Sequence, residues 1–196
     1  MKKTTLFIGG VAAVAAALYG YFRRKEKHTA EPNDEDIDGG VVSYTSKTAP
    51  KEIKSRLIVR FSCEMSTFDM TDEDDISGKV YSLEAVLENG AVKGSYKWRD
   101  RFGNSDNKPF RASARFMYEL YAIVREYDLA KHNGQSYTVT GLPDMYGAML
   151  NVYFASKEII YAYDNQSNFI PCDAMKKLIL LFENNANKVE YKPILL

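Results

Sequence analysis

The sequence predicts an α+β fold, a mostly antiparallel sheet with two packed helices, preceded by one N-terminal transmembrane helix. Three observations carry this. Thr4–Phe22 is a run of nineteen residues without a charge. Asn89-Gly90, the strongest short hairpin signal, stands between two runs of alternating polarity. Two later segments, 116–127 and 175–182, repeat apolar residues at helical spacing. A chain of 196 residues with 45% hydrophobic and 13% aromatic content has enough apolar side chain for one domain with a real core. That composition excludes a wholly disordered chain.

At a rise of about 1.5 Å per residue, the uncharged run spans about 29 Å as a helix, against a hydrocarbon core of about 30 Å. Lys2 and Lys3 precede it, and Arg23, Arg24, Lys25 and Lys27 follow at once. Tyr19, Tyr21 and Phe22 stand beside those cations, where an aromatic belt would lie. Residues 1–28 therefore read as a membrane anchor with basic flanks, giving a single-pass protein of the cell membrane. The alternative is a cleaved signal peptide, with Lys2-Lys3 as its basic start and Ala15-Ala16-Ala17 as its cleavage site. Against it, the apolar run continues past Ala17 into a stop-transfer-like cationic cluster. Cation counts favour the C-terminal part on the cytoplasmic side, and likeness to an export signal favours the other side, so orientation stays open. The rows Gly9/Ala13/Ala17 and Ala12/Ala16/Gly20 are small enough for self-association through the anchor.

Charge is zero overall but uneven. Residues 1–28 hold six Lys/Arg and one acid, leaving 20 basic and 25 acidic side chains for the rest. An acidic body repels phosphate backbones, which argues against a nucleic-acid partner. Residues 29–50 read as an acidic flexible linker. Within them, Asp34-Glu35-Asp36-Ile37-Asp38-Gly39 fits the first six positions of a calcium loop, but Thr45 stands where the bidentate glutamate is needed. A solvated linker is the plainer reading.

Residues 51–196 form the expected domain. Arg56–Phe68 alternates, with Leu57, Val59, Phe61, Cys63 and Met65 on one side. A two-residue turn at Asn89-Gly90 pairs Leu87 with Val92, Ala85 with Gly94, Leu83 with Tyr96 and Tyr81 with Trp98. Phe110–Lys131 reads as a helix stopped by Asn133-Gly134, with Lys131 and His132 as favourable cations at its end. Ser136–Thr140 is a short strand. A second hairpin turns at Ser156-Lys157 and would pair Phe154 with Ile159, Val152 with Tyr161 and Leu150 with Tyr163. Pro171–Glu183 is the last helix, and Val189–Leu196 an apolar tail suited to an edge strand. The order suggests a βββα-βββα pseudo-repeat, with polar loops Asp100–Lys108 and Asp164–Asn168 in equivalent places.

No catalytic motif emerges. There is no H-E-x-x-H, no G-x-S-x-G and no phosphate-cradling glycine loop. His28 lies in the basic run. Cys63 and Cys172 are too few for a zinc site and would form one bridge only in an oxidising compartment. Asp69, Asp72, Glu73, Asp74 and Asp75 read as a solvated acidic loop. No catalytic residue, metal ligand or cofactor is therefore assigned. The residues best suited to a polar ligand surface are Trp98, Asp100, Asn104, Asp106, Tyr163, Asp164, Asn165 and Asn168. The expectation is a membrane-tethered, non-catalytic binding module for an unknown protein or small polar ligand. Its alternatives are an envelope hydrolase using carboxylates alone, with Glu64 and Glu84 as the candidates, or a structural envelope protein.

Overall fold

The computed structural model of the chain describes residues 40–71, 76–141 and 146–188. The expected anchor, the calcium-like run Asp34–Gly39, Asp72–Asp75 of the acidic cluster, Pro143-Asp144 and the tail Val189–Leu196 lie outside them. Among the described residues, no helix is long and apolar enough to cross a membrane.

The elements follow as β1 (Val41–Thr45), β2 (Ile58–Ser66), β3 (Lys79–Glu88), β4 (Ala91–Asp100), β5 (Ser105–Ser113), α1 (Arg115–Glu126), a 3-10 turn (Leu129–His132), β6 (Gln135–Val139), β7 (Ala148–Phe154), β8 (Ile159–Asp164) and α2 (Cys172–Ala186). The strands form one eight-stranded sheet in the order β1-β6-β8-β7-β2-β3-β4-β5. Every pairing is antiparallel except β6 with β8. The fold is α+β, as expected.

The β3–β4 hairpin has the register that its turn demands: Leu87 faces Val92, Leu83 faces Tyr96 and Tyr81 faces Trp98. Asn89 (φ 51°) and Gly90 (φ 79°) both adopt the positive φ of a primed turn. Gly94 leaves room for Phe110, which lies opposite it on β5; a Cβ there would fall 2.2 Å from the ring. A glycine inside a strand weakens it, and the aromatic ring laid over the gap compensates.

Other expectations are corrected. Val41–Thr45, read as linker, forms β1 and pairs with β6. Residues 105–113, read as the end of a polar loop and the start of a helix, form β5. There Phe110 and Ala112 face Gly94 and Val92, and sheet pairing overrides the weak helical pattern. The helix ends at Glu126, because Asp128 turns left-handed (φ 48°) and starts the 3-10 turn. A bulge between Ile58 and Arg60 puts Ile58 rather than Val59 in the core. The pseudo-repeat fails: β5 has no counterpart in the second half, and β6 joins β8 in parallel whereas β2 joins β3 antiparallel.

The most consequential correction is the β7–β8 register. Lys157 adopts a left-handed conformation (φ 70°), and Phe154 N–H donates to the carbonyl of Glu158 at 3.0 Å. The loop thus holds three residues instead of two, the form that ends in a left-handed residue. Tyr153 faces Ile159, Val152 faces Ile160 and Leu150 faces Ala162. A slip of one residue exchanges the faces of a whole strand. Ile160 and Ala162 go into the core, while Ile159, Tyr161 and Tyr163 go to the opposite side.

Both helices pack on one face of the sheet. Phe61, Cys63, Met65, Tyr81, Leu83, Tyr96, Leu150 and Val152 meet Phe116, Met117 and Leu120 of α1 and Met175, Leu178 and Phe182 of α2 in one buried cluster. Phe182 sits at its centre, its ring centroid 5.8 Å from Phe61, 5.7 Å from Phe110 and 5.1 Å from Phe116.

Candidate functional site

The eight residues expected to form a ligand surface fall in two groups at the same end of the sheet. Trp98, Asp100, Asn104 and Asp106 belong to the β4–β5 hairpin. Tyr163, Asp164, Asn165 and Asn168 belong to β8 and the approach to α2. Between β4 and β8 lie β3, β2 and β7, so the groups are about four strand spacings, or about 19 Å, apart.

Their polar atoms are largely engaged in local structure. Asp100 Oδ1 accepts from the N–H groups of Phe102 and Asn104, and its Oδ2 from Asn104 Nδ2. Those bonds hold its carboxyl below the usual range, the Asn104 side chain contributing most. Asp106 pairs with Lys108 at 3.1 Å, and Lys79 lies 5.0 Å over the Trp98 ring. Asp164 Oδ1 accepts from Gln166 and Ser167 N–H. Buried Asn165 accepts from Val139 N–H and donates to Val139 O, both at 2.9 Å, and so acts as an extra rung beside β6. Asn168 donates to Ser66 O at 2.7 Å, tying the approach of α2 to β2. This set is mainly a framework.

The surface that remains open is the sheet face opposite the helices. On β7 and β8 it carries Met149, Tyr153, Ile159, Tyr161 and Tyr163, placed there by the register of this hairpin. Ile159 is 40% and Tyr161 38% exposed. On β2 to β5 the same face carries Arg60, Lys93, Lys97, Arg99 and Arg111 against Glu64, Glu84 and Glu88. Lys93 is paired with Glu88 at 2.6 Å. An apolar, tyrosine-rich half therefore adjoins a basic half, on a chain whose body is acidic overall. Within the basic half lies a shallow concavity of about 220 Å³ lined by Glu64, Val80, Ser82, Lys97, Trp98 and Arg99.

Glu64 and Glu84 are diagonal neighbours there: Glu64 faces Ser82, and Glu84 faces Ser62. Diagonal strand positions are about 7–8 Å apart, near enough for the two side chains to approach the carboxylate separations used in hydrolysis. The surface around them is open, so nothing excludes water or surrounds a substrate. No cluster of metal-ligating side chains occurs among the described residues. Both cysteines are free, Cys63 buried and Cys172 exposed. Burial pushes the Cys63 thiol far above its usual pKa, which keeps it unreactive.

His132 departs from expectation. Its ring packs on Phe169 with centroids 5.1 Å apart, Nδ1 meets Gln135 Oε1 at 3.1 Å, and Nε2 is buried without a hydrogen-bond partner. Burial lowers its pKa, with Lys131 and Lys51 adding to the effect and Gln135 and Asp128 opposing it. The site therefore disfavours the cation that the sequence placed there. The unfolded chain, with a histidine pKa of about 6.5, binds more protons than the folded one just below that value. Stability then rises with pH across this window and is lost as pH falls through it. The urea midpoint should drop between pH 7.5 and 5.5, and His132→Gln should flatten that slope. Coincident wild-type and variant slopes would show that His132 does not titrate on unfolding.

Comparison with known protein families, curated proteins and solved structures gives no match.

Sequence reasoning missed Asn133 and the aromatic patch. Asn133 is buried: Nδ2 donates to the carbonyls of Pro50 and Ile159, both at 2.8 Å, and Oδ1 accepts from Tyr161 N–H at 2.9 Å. It fixes β8 and hence the strand that presents Tyr161. The only local signal was the Asn-Gly pair, which reads equally well as a helix stop.

Proposed function

We propose that the chain is a membrane-tethered, non-catalytic binding module that presents its uncovered sheet face to a protein partner. The observation that supports this is the segregation of that face into a tyrosine-rich half beside a basic half. Tyrosines offer rigid apolar area with a polar tip, which suits recognition surfaces. A partner segment carrying apolar side chains next to acidic ones would match both halves. The concavity of about 220 Å³ is smaller than the roughly 300–1,000 Å³ of sites that enclose small ligands. That comparison favours a macromolecular partner over a buried metabolite. The tether rests on the uncharged run and its basic flanks.

The test is a peptide array probed with the full-length protein, comparing acidic-apolar with neutral peptides. Acidic-apolar peptides should be retained. Tyr161→Ser, which truncates a central aromatic side chain, should weaken retention by about tenfold or more. Lys97→Ser should weaken it in a salt-dependent way. If no peptide is retained, or retention ignores both substitutions, the reading fails. The diagonal Glu64–Glu84 pair supports a second reading, a carboxylate-only hydrolase. On that reading a glycoside panel would show turnover that the double variant Glu64→Gln/Glu84→Gln abolishes.

A further inference from the structure

We propose that the free edge of β1 pairs with the β1 of a second copy of this chain, making one continuous antiparallel sheet. The backbone geometry shows which groups are available. Thr140 N–H donates to Gly40 O, and Ser46 N–H to Gly134 O, each at 2.9 Å. With Val42 opposite Thr138 and Tyr44 opposite Ser136, the alternate residues Gly40, Val42, Tyr44 and Ser46 turn their main-chain groups toward β6. Val41, Ser43 and Thr45 turn theirs outward. Among the described residues β6 is the sole sheet neighbour of β1.

The two edges of the sheet are unlike. The β5 edge carries Asp106, Lys108, Pro109 and Arg111, the charges and proline that guard an edge against strand addition. The β1 edge is Val-Val-Ser-Tyr-Thr, with no charge and no proline, and each of its residues is exposed. Val42 is 63% and Tyr44 53% exposed, which is costly for an edge that stays in water.

The sequence of β1 is complementary to itself about Ser43. In an antiparallel pair centred there, Ser43 meets Ser43, Val41 meets Thr45 and Val42 meets Tyr44, each of the unlike pairs occurring twice. On one face these are β-branched pairs and on the other aromatic with β-branched, both favourable across strands. No like charges oppose. The outward main-chain groups of Val41, Ser43 and Thr45 all find partners.

Five residues make a small interface, so the pairing is best trapped by cross-linking the full-length chain in detergent micelles, on a Cys172→Ser background. Ser43→Cys places two thiols opposite each other, with Cα atoms about 5.5 Å apart, within disulfide range. Thr45→Cys places its two copies about four residues out of step, about 13 Å apart. Under mild oxidation Ser43→Cys should form dimer at least about ten times faster than Thr45→Cys, since only the first geometry closes a disulfide. Mixing Val41→Cys chains with Thr45→Cys chains should restore the fast reaction. All three sites are exposed, so thermal unfolding should match the parent chain. Equal rates for Ser43→Cys and Thr45→Cys, as contact through the anchor alone would give, would overturn the proposal. So would the absence of cross-linked dimer.

Discussion

Replacing Phe182 by alanine should remove about 3–5 kcal/mol of stability, the range for deleting a buried aromatic side chain. Phe182 is fully buried, and its ring packs against Phe61 on β2, Phe110 on β5 and Phe116 on α1. It therefore joins both helices to two separated strands. The cavity cannot collapse cheaply, because the rings of Phe110 and Phe116 already pack on each other at 5.3 Å and Phe110 is seated over Gly94. Domains of this size hold only about 5–15 kcal/mol in total, so the variant keeps a small remainder. Urea unfolding of the full chain should show a markedly lower midpoint. A fall in melting temperature of roughly 6–20 °C is expected, at about 2–4 °C per kcal/mol. Phe182→Leu, which retains most of the volume, should cost about 1–2 kcal/mol. Similar losses for both variants would mean that the ring contacts, rather than the filled volume, carry the stability.

The parts of the fold that could be read from the sequence are those fixed locally. Asn89-Gly90 determines its hairpin because both residues tolerate positive φ, and the flanking alternation allows one register. Ser156-Lys157 carries no such information. A lysine in the left-handed region is held there by the Phe154–Glu158 and Lys157–Phe154 backbone bonds and by the demand that Ile160 and Ala162 reach the core. The aromatic patch is a product of that slip, so it was hidden for the same reason. β1 was hidden for another: exposed on both faces, it has no polar side to alternate with. β5 begins with Ser105-Asp106-Asn107-Lys108-Pro109, residues of low strand preference, and pairs through the long β4 beside it. The eight residues that the sequence offers for ligand binding stand out only by their oxygen and aromatic side chains. Sequence cannot tell an Asp that accepts its own loop's N–H groups, as Asp100 and Asp164 do, from one that awaits a ligand.

The aromatic face depends on buried polar contacts as much as on turn geometry, and Asn133→Asp should expose that dependence. The amide donates to two carbonyls and accepts one N–H; a carboxylate keeps the acceptor and loses both donors. Its second oxygen would face the carbonyls of Pro50 and Ile159 in a buried site. Such a loss should cost at least about 3 kcal/mol at neutral pH. Lys51, whose ammonium donates to the main-chain carbonyl of Asn133, would offset part of this but cannot supply the missing donors at both sites. The penalty has a sign that identifies its cause. A carboxyl in this position is more basic folded than unfolded, so protonation relieves the folded state first. The stability gap to the parent chain should narrow as pH falls from 7 toward about 4, where the unfolded carboxyl also protonates. Asn133→Ala, which loses the same bonds without gaining a charge, should show a gap of about 2–3 kcal/mol that does not change with pH. Subtracting the parent profile removes the common contribution of His132. If the aspartate and alanine gaps run parallel with pH, the carboxylate is reaching water, and Asn133 does not seal β8 against the 46–50 segment. If they diverge as described, peptide retention by Asn133→Asp should weaken alongside stability, because Tyr161 N–H is one of the three groups that Asn133 holds.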